Sequence, residues 1–228
     1  MDAPLIEARA LDKTFGFAPV LRGINLKLHA GGCSMIVGRN GAGKSTLVKI
    51  LAGLAAPNAG EALLFGYPAY GLEAALRRRV GLVTHQSFLY PNLTARENLE
   101  FCADLYAIGR GRADVQRWIE RVGLAGAADE RVRTFSRGME QRLALARALL
   151  PNPDVLLMDE PFAALDSEGV ALAGTLLKEA VARRCAIVIT AHEPIALEGI
   201  SATVGEIVRG RLVEFARSWA GGSTRAAG

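Results

Sequence analysis

Apolar residues fall into short unbroken runs along this chain. Met35-Ile36-Val37, Val80-Gly81-Leu82-Val83, Val155-Leu156-Leu157-Met158 and Ala186-Ile187-Val188-Ile189 carry no polar alternation. Runs of that length suit strands covered on both faces, as in a parallel sheet. Between them the period becomes helical, as at Ser45 to Leu54 and Ser167 to Arg183, and strand–helix alternation of this kind predicts an α/β fold. Two regions differ. The first 30 residues, and again Gly60 to Tyr67, alternate apolar with polar positions between turn residues, which predicts an antiparallel β portion. From about Ser87 to Leu150 the pattern reads as several helices without an obvious strand. Thr94 with Glu97 forms a capping-box pattern ahead of the apolar face of Thr94 to Tyr106. Arg112 to Val122 puts Trp118, Ile119 and Val122 on one face. The stretch is read as a helical subdomain, about 87–150, inserted into an α/β body. One domain is expected over 1–219, with a disordered Gly-, Ala- and Ser-rich tail at 220–228.

Composition narrows the classes. Of 228 residues, 50% are hydrophobic and 22% charged, enough to bury a sizeable core. The net charge of +4 is spread along the chain, with one short run at Arg77-Arg78-Arg79. A solvated basic face explains that run, and no nucleic-acid partner is expected without a basic stripe. Cys33, Cys102 and Cys185 are odd in number and far apart. They match neither a disulfide framework nor a zinc spacing, and read as small buried apolar side chains in a reducing cytosol. Met1-Asp2-Ala3-Pro4 is acidic and no apolar segment follows, so no signal peptide is expected. No stretch approaches the length of a membrane-spanning helix. The chain is expected to be soluble by itself, while composition leaves docking on a membrane protein open.

Two motifs carry the chemistry. Gly38-Arg39-Asn40-Gly41-Ala42-Gly43-Lys44-Ser45 fits the phosphate-binding loop pattern G-x-x-x-x-G-K-[ST]. It follows an apolar strand, Cys33 to Val37, and precedes a helical pattern from Thr46 to Leu54, the context that the motif requires. Glycines at 38, 41 and 43 let backbone N–H groups, Asn40 and Thr46 flanking them, curl around phosphate oxygens. The helix aims its positive end at the same anion. Lys44 is then placed to reach the β- and γ-phosphates and Ser45 to ligate Mg²⁺. The second motif is the strand Val155 to Met158 ending in Asp159-Glu160. Asp159 is read as a Mg²⁺ ligand and Glu160 as the group that orients and polarises the attacking water. Alone, two acids at a strand end say little, since helix N-termini also attract acids. With the loop they point to a P-loop NTPase that uses ATP and Mg²⁺.

At this point the residues resemble the ATP-binding cassette (ABC) ATPases, over about residues 5 to 215. Ser136-Arg137-Gly138-Met139-Glu140-Gln141-Arg142 is similar to the family signature LSGGQ, with Phe135 in the Leu position. Its place between the phosphate loop and the Asp-Glu strand separates ABC ATPases from GTPases and P-loop kinases. The resemblance implies two cassettes facing head to tail, with Ser136 and the backbone at Gly138 touching the γ-phosphate bound by the partner cassette. Arg137 in place of a glycine, and Met139 in place of the glutamine, depart from the pattern and put full signature function in question. By the same resemblance Gln86 joins Mg²⁺ and the attacking water to the helical subdomain, and His192 is a switch histidine touching the γ-phosphate. Asp166, in Ala164-Leu165-Asp166, crosses the dimer interface, although a helix N-cap is an equal reading. Phe15 stacks on adenine, with Phe17 as rival and core packing as the plainer role of either. His85 receives no role beyond local structure.

The resemblance also implies a nucleotide-binding subunit of a membrane transporter, cytoplasmic and peripheral on the inner face of the cell membrane. Repair and chromosome members of the family carry coiled coils or zinc insertions between the two halves of the site, and the span from Ser45 to Ser136 has neither. Translation factors usually hold two cassettes per chain, and this chain shows one set of motifs. The segment Thr84 to Leu99 resembles the groove that grips a permease's coupling helix, with Phe88, Leu89 and Tyr90 near it. The strings around His85-Gln86, Leu93 to Leu99, Phe135 to Met139 and Asp159 to Asp166 resemble the ATPase of the haem exporter of cytochrome c maturation. Similar strings occur in drug and lipid exporters. A regulatory module that holds ATP without turnover is the alternative class, against which Glu160 and His192 argue.

Overall fold

The computed structural model describes residues 3–107 and 112–219, so the tail predicted at 220–228 lies outside the described residues. A first sheet has the order β2-β1-β4-β5, from β1 (Ile6–Phe15), β2 (Ala18–Leu28), β4 (Ala59–Leu64) and β5 (Tyr67–Pro68), all antiparallel. This is the β portion that the alternation in the first 30 residues and at Gly60 to Tyr67 predicts. A second sheet has the order β10-β9-β3-β8-β7-β6, from β3 (Cys33–Val37), β6 (Val80–Val83), β7 (Val155–Asp159), β8 (Ala186–Ala191), β9 (Ala202–Val208) and β10 (Arg211–Trp219). Its pairings are parallel except for the edge hairpin of β9 and β10.

Every residue of β3, β7 and β8 is buried, which is why their sequences lack polar alternation. Their two faces feed two separate cores. Ile36, Val155, Leu157 and Val188 join helix α1 (Lys44–Leu51) and residues of the first sheet such as Ile6 and Leu11. Met35, Val37, Leu156, Met158, Ile187 and Ile189 join the opposite core, with α3 (Ala95–Leu105), α4 (Arg112–Arg121), α5 (Arg137–Leu149) and α6 (Ser167–Ala182). The parallel sheet is thus the middle layer between a β layer with α1 and a helical layer.

The helices at 95–149 follow the sequence reading. Thr94 accepts from the Glu97 backbone N–H at 3.1 Å while the Glu97 carboxylate accepts from the Thr94 N–H at 2.8 Å, completing the capping box. Trp118, Ile119 and Val122 are buried together. Three differences stand out. β9 and β10 have no counterpart among the predicted strands. A short α2 (Ala74–Arg77) precedes β6. α1 ends at Leu51, earlier than the apolar period suggested, where Gly53 turns the chain at φ 71°. All three cysteines are buried, and burial pushes the Cys33 and Cys185 thiols up to about 12 and Cys102 up to about 11. Protonated, they act as the small apolar groups that the sequence suggested.

Candidate functional site

In a parallel sheet the carboxyl ends of neighbouring strands open on one edge, where ligands are received. Val37 of β3 pairs with Ala191 of β8, Asp159 of β7 with Thr190, and Val83 of β6 with Met158. The segments that follow these strands therefore emerge side by side. They are the glycine loop after β3, Thr84-His85 after β6, Glu160 after β7 and His192 after β8.

The loop is shaped by close approach. Gly43 has φ 107°, and a Cβ there would meet Leu21 Cδ2 at 2.8 Å and Val20 O at 3.2 Å. Gly38 has φ 151° and would meet Ile207 O at 3.1 Å. Both demand a residue without a side chain. The Lys44 side chain is only 4% exposed, and its Nζ donates to Gly38 O at 2.6 Å and to Arg39 O at 3.3 Å. A cavity of about 350 Å³ opens over the loop. It is lined by Asn40 to Thr46 together with Phe15, Val20, His85 and Glu160. Phe15 stands at this cavity half-exposed, with the Lys13 ammonium 5.3 Å from its ring centre. Phe17 is fully exposed on the β1–β2 turn and does not line it.

The acidic pair is held by a residue that sequence reasoning missed. Thr190 of β8 donates its hydroxyl to Asp159 Oδ1 at 2.7 Å, both being buried. The Glu160 N–H donates to Thr190 O and Thr190 Oγ1, each at 3.1 Å. Glu160 itself takes a left-handed φ of 50°, a conformation costly outside glycine and common at functional sites. Its carboxylate, 13% exposed, has Oε1 at 3.1 Å from Lys44 Nζ. Oε2 lies 3.5 Å from His192 Nε2 and 3.8 Å from His85 Nε2. A carboxylate this buried is costly without cations, and Lys44 supplies one directly.

Not every expected residue converges. Gln86 is exposed and does not line the cavity; its backbone closes a turn on Thr84, whose hydroxyl donates to Gln86 O at 2.8 Å and accepts from Gln86 N at 3.2 Å. His85, at the tip of that turn, occupies the place instead. Ser136 and Gly138 do not line the cavity either. Ser136 caps α5 by accepting from the Met139 N–H at 3.2 Å, and a Cβ on Gly138 would sit 3.1 Å from Ala164 O. Met139 packs against the helical core while Arg137 is exposed. Asp166 caps α6, its Oδ1 accepting from the Gly169 N–H at 2.8 Å.

A glycine loop over a helix N-terminus, a buried lysine and a strand-end acid pair now stand in one site. The family model described as ABC transporter matches residues 21–163. The chain belongs to the ABC transporter family. Among its relatives is the Nod factor export ATP-binding protein I of Burkholderia orbicola (strain AU 1054), 38% identical over 194 residues. That match covers 84% of this chain and 64% of the relative, so the chain spans less than two thirds of that protein's length. The bacitracin transport ATP-binding protein BcrA of Bacillus licheniformis is 36% identical over 214 residues, covering 92% of this chain and 69% of the relative. The linearmycin resistance ATP-binding protein LnrL of Bacillus subtilis (strain 168) is 30% identical over 211 residues, covering 92% and 68%. A dimeric post-hydrolysis structure of the ATP-binding cassette MJ0796 bound to ADP and Pi superposes with TM-score 0.84 at 27% identity. It covers 93% of this chain and 98% of that one. The α/β architecture is that of the ABC cassettes. Among the described residues no helix is long and apolar enough to cross a membrane.

Proposed function

We propose that this chain is the nucleotide-binding subunit of an ABC exporter, an ATPase whose turnover drives a cargo through a membrane permease. The convergence of Lys44, Glu160 and His192 at the carboxyl ends of β3, β7 and β8 carries the reading. Loop N–H groups and Lys44 bind the phosphates, and Phe15 offers its ring to the base. Ser45 and Asp159 offer hydroxyl and carboxylate oxygens, a hard donor set that fits Mg²⁺. Bound there with the nucleotide, Mg²⁺ would neutralise phosphate charge as it develops. Glu160 takes the proton of the attacking water, and its fixed backbone and the Lys44 ammonium aim the carboxylate. His192 faces the same carboxylate from β8.

Ser136 and Gly138 stand away from the cavity at the start of α5, so in this reading they serve a partner cassette's nucleotide, and Asp166 lies at the shared interface. The dimeric state of the MJ0796 cassette supports that arrangement. Relatives named for export of Nod factor and transport of bacitracin support export of a small organic cargo. They lend no support to haem, and the proposal stops at export. A groove of about 330 Å³ offers the permease a seat, lined by exposed Leu54, Phe88, Tyr90, Phe101 and Leu105. Leu89, expected beside it, packs on the helical core instead. Seated there, the chain works on the inner face of the cell membrane.

Phosphate release from the purified chain tests the proposal. Glu160→Gln is expected to lower turnover by roughly 100-fold or more while retaining ATP, and to accumulate an ATP-dependent dimer on size exclusion. Equal rates in wild type and variant would sink the ATPase reading and leave a binding module.

A further inference from the structure

We infer that His85 is a positioning residue for Glu160, holding the carboxylate from the β6 side as His192 holds it from the β8 side. The inference deepens the ATPase reading and rests on it.

His85 Nε2 and His192 Nε2 approach the same oxygen, Glu160 Oε2, at 3.8 Å and 3.5 Å, while Lys44 Nζ holds Oε1 at 3.1 Å. The three groups come from three different segments, the start of α1, the turn after β6 and the segment after β8, so they approach the carboxylate from separate elements. The two imidazole distances are longer than an ordinary hydrogen bond. Such contacts at active sites are often loose without substrate and tighten in the reacting complex. His85 also lines the cavity over the phosphate-binding loop, whereas His192 does not.

The segment that carries His85 is fixed at both ends. Buried Thr84 closes a turn on Gln86 through its hydroxyl, which leaves His85 at the tip. One residue beyond the turn, Ser87 donates to Glu140 Oε1 of α5 at 2.5 Å. The side chain is 61% exposed, with its Nε2 3.8 Å from the Glu160 carboxylate. The titratable and charged groups around Glu160 are Lys44 from α1, the His192 imidazole after β8 and the neighbouring carboxylate of Asp159, which is already engaged by Thr190. His85 is therefore the added group on the β6 side. It is the position beside the one, Gln86, that sequence reasoning selected.

The experiment compares His85→Ala and His85→Gln with wild type and Glu160→Gln in steady-state phosphate release. His85→Ala is expected to lower kcat roughly tenfold, with the KM for ATP moving less than about threefold. His85→Gln, which keeps an N–H donor of similar reach, is expected to recover most of the loss. The nitrogen spectrum of the His85 ring in the nucleotide-free chain supplies a second readout, expected to shift when Glu160 becomes Gln. An unchanged kcat in His85→Ala overturns the inference, as does a loss that His85→Gln fails to recover or a His85 spectrum indifferent to Glu160. If Glu160→Gln keeps full turnover, the base reading falls first and the role of His85 falls with it. If Glu160→Gln is inactive and His85→Ala is not, only the present inference fails.

Discussion

At the scale of single residues the site turns on Thr190. Its hydroxyl donates to Asp159 Oδ1 and lies within reach of the Glu160 N–H, so one side chain sets both acids. Thr190→Val keeps the shape and removes those bonds, leaving a buried carboxylate oxygen and an amide less well paired. We expect a stability loss of about 1–3 kcal/mol in denaturant unfolding, together with reduced phosphate release. A variant as stable and active as wild type would show that the hydroxyl is dispensable. The glycine loop and the Asp159-Glu160 pair could be picked out because each is a contiguous string, whereas His192 was singled out only through the family resemblance. Thr190 and His85 were not picked out. Neither has a local pattern, and each comes to the acid pair only when β6, β7 and β8 lie side by side.

At the scale of elements, caps and burial explain most boundaries. Asp166 illustrates how one residue serves two readings. It accepts from the Gly169 N–H at the start of α6, and the family resemblance also places it at a dimer interface. Asp166→Ala is expected to cost the isolated chain about 1 kcal/mol, a fall in Tm of roughly 2–4 °C. Asp166→Asn, which retains an oxygen acceptor, should restore the stability. If the alanine variant melts with wild type, the cap is energetically idle. Among the elements read correctly were the unbroken apolar runs of β3, β6, β7 and β8, the antiparallel strands of the first sheet, and the capped α3. β9 and β10 escaped because Ala202 to Val208 mixes buried and half-exposed positions around Gly205. Its strand state comes from pairing with β3 and β10 rather than from its own pattern.

For the whole molecule the decisive feature is that one parallel sheet separates two cores. The cavity over the glycine loop lies at the sheet's carboxyl edge, while the apolar groove lies among the segment after α1, α2, β6, α3 and α5. The segment from Thr84 to Tyr90 contributes to both, with His85 in the cavity and Phe88 and Tyr90 in the groove. In the groove Tyr90 and Phe101 meet edge to face at 4.9 Å, yet both remain exposed. Phe101→Glu is expected to leave ATP binding by the purified chain unchanged and to abolish recovery of an integral membrane partner from detergent extracts. Undiminished recovery would place the permease elsewhere on the surface.

The sequence by itself determined the α/β class, the glycine loop and the strand-end acid pair as motifs, and the helical character of the stretch between them. Those properties are carried by hydrophobic period and by residues adjacent in the chain. Tertiary structure alone decided that His85 rather than Gln86 faces Glu160, that Thr190 orients both acids, and that Phe15 rather than Phe17 reaches the cavity. It also placed Ser136 and Gly138 away from the cavity that their own chain builds. These outcomes depend on which strands become neighbours and on the direction in which each chain leaves the sheet. Both are set by packing a shared core from residues far apart in sequence, and no local pattern encodes them.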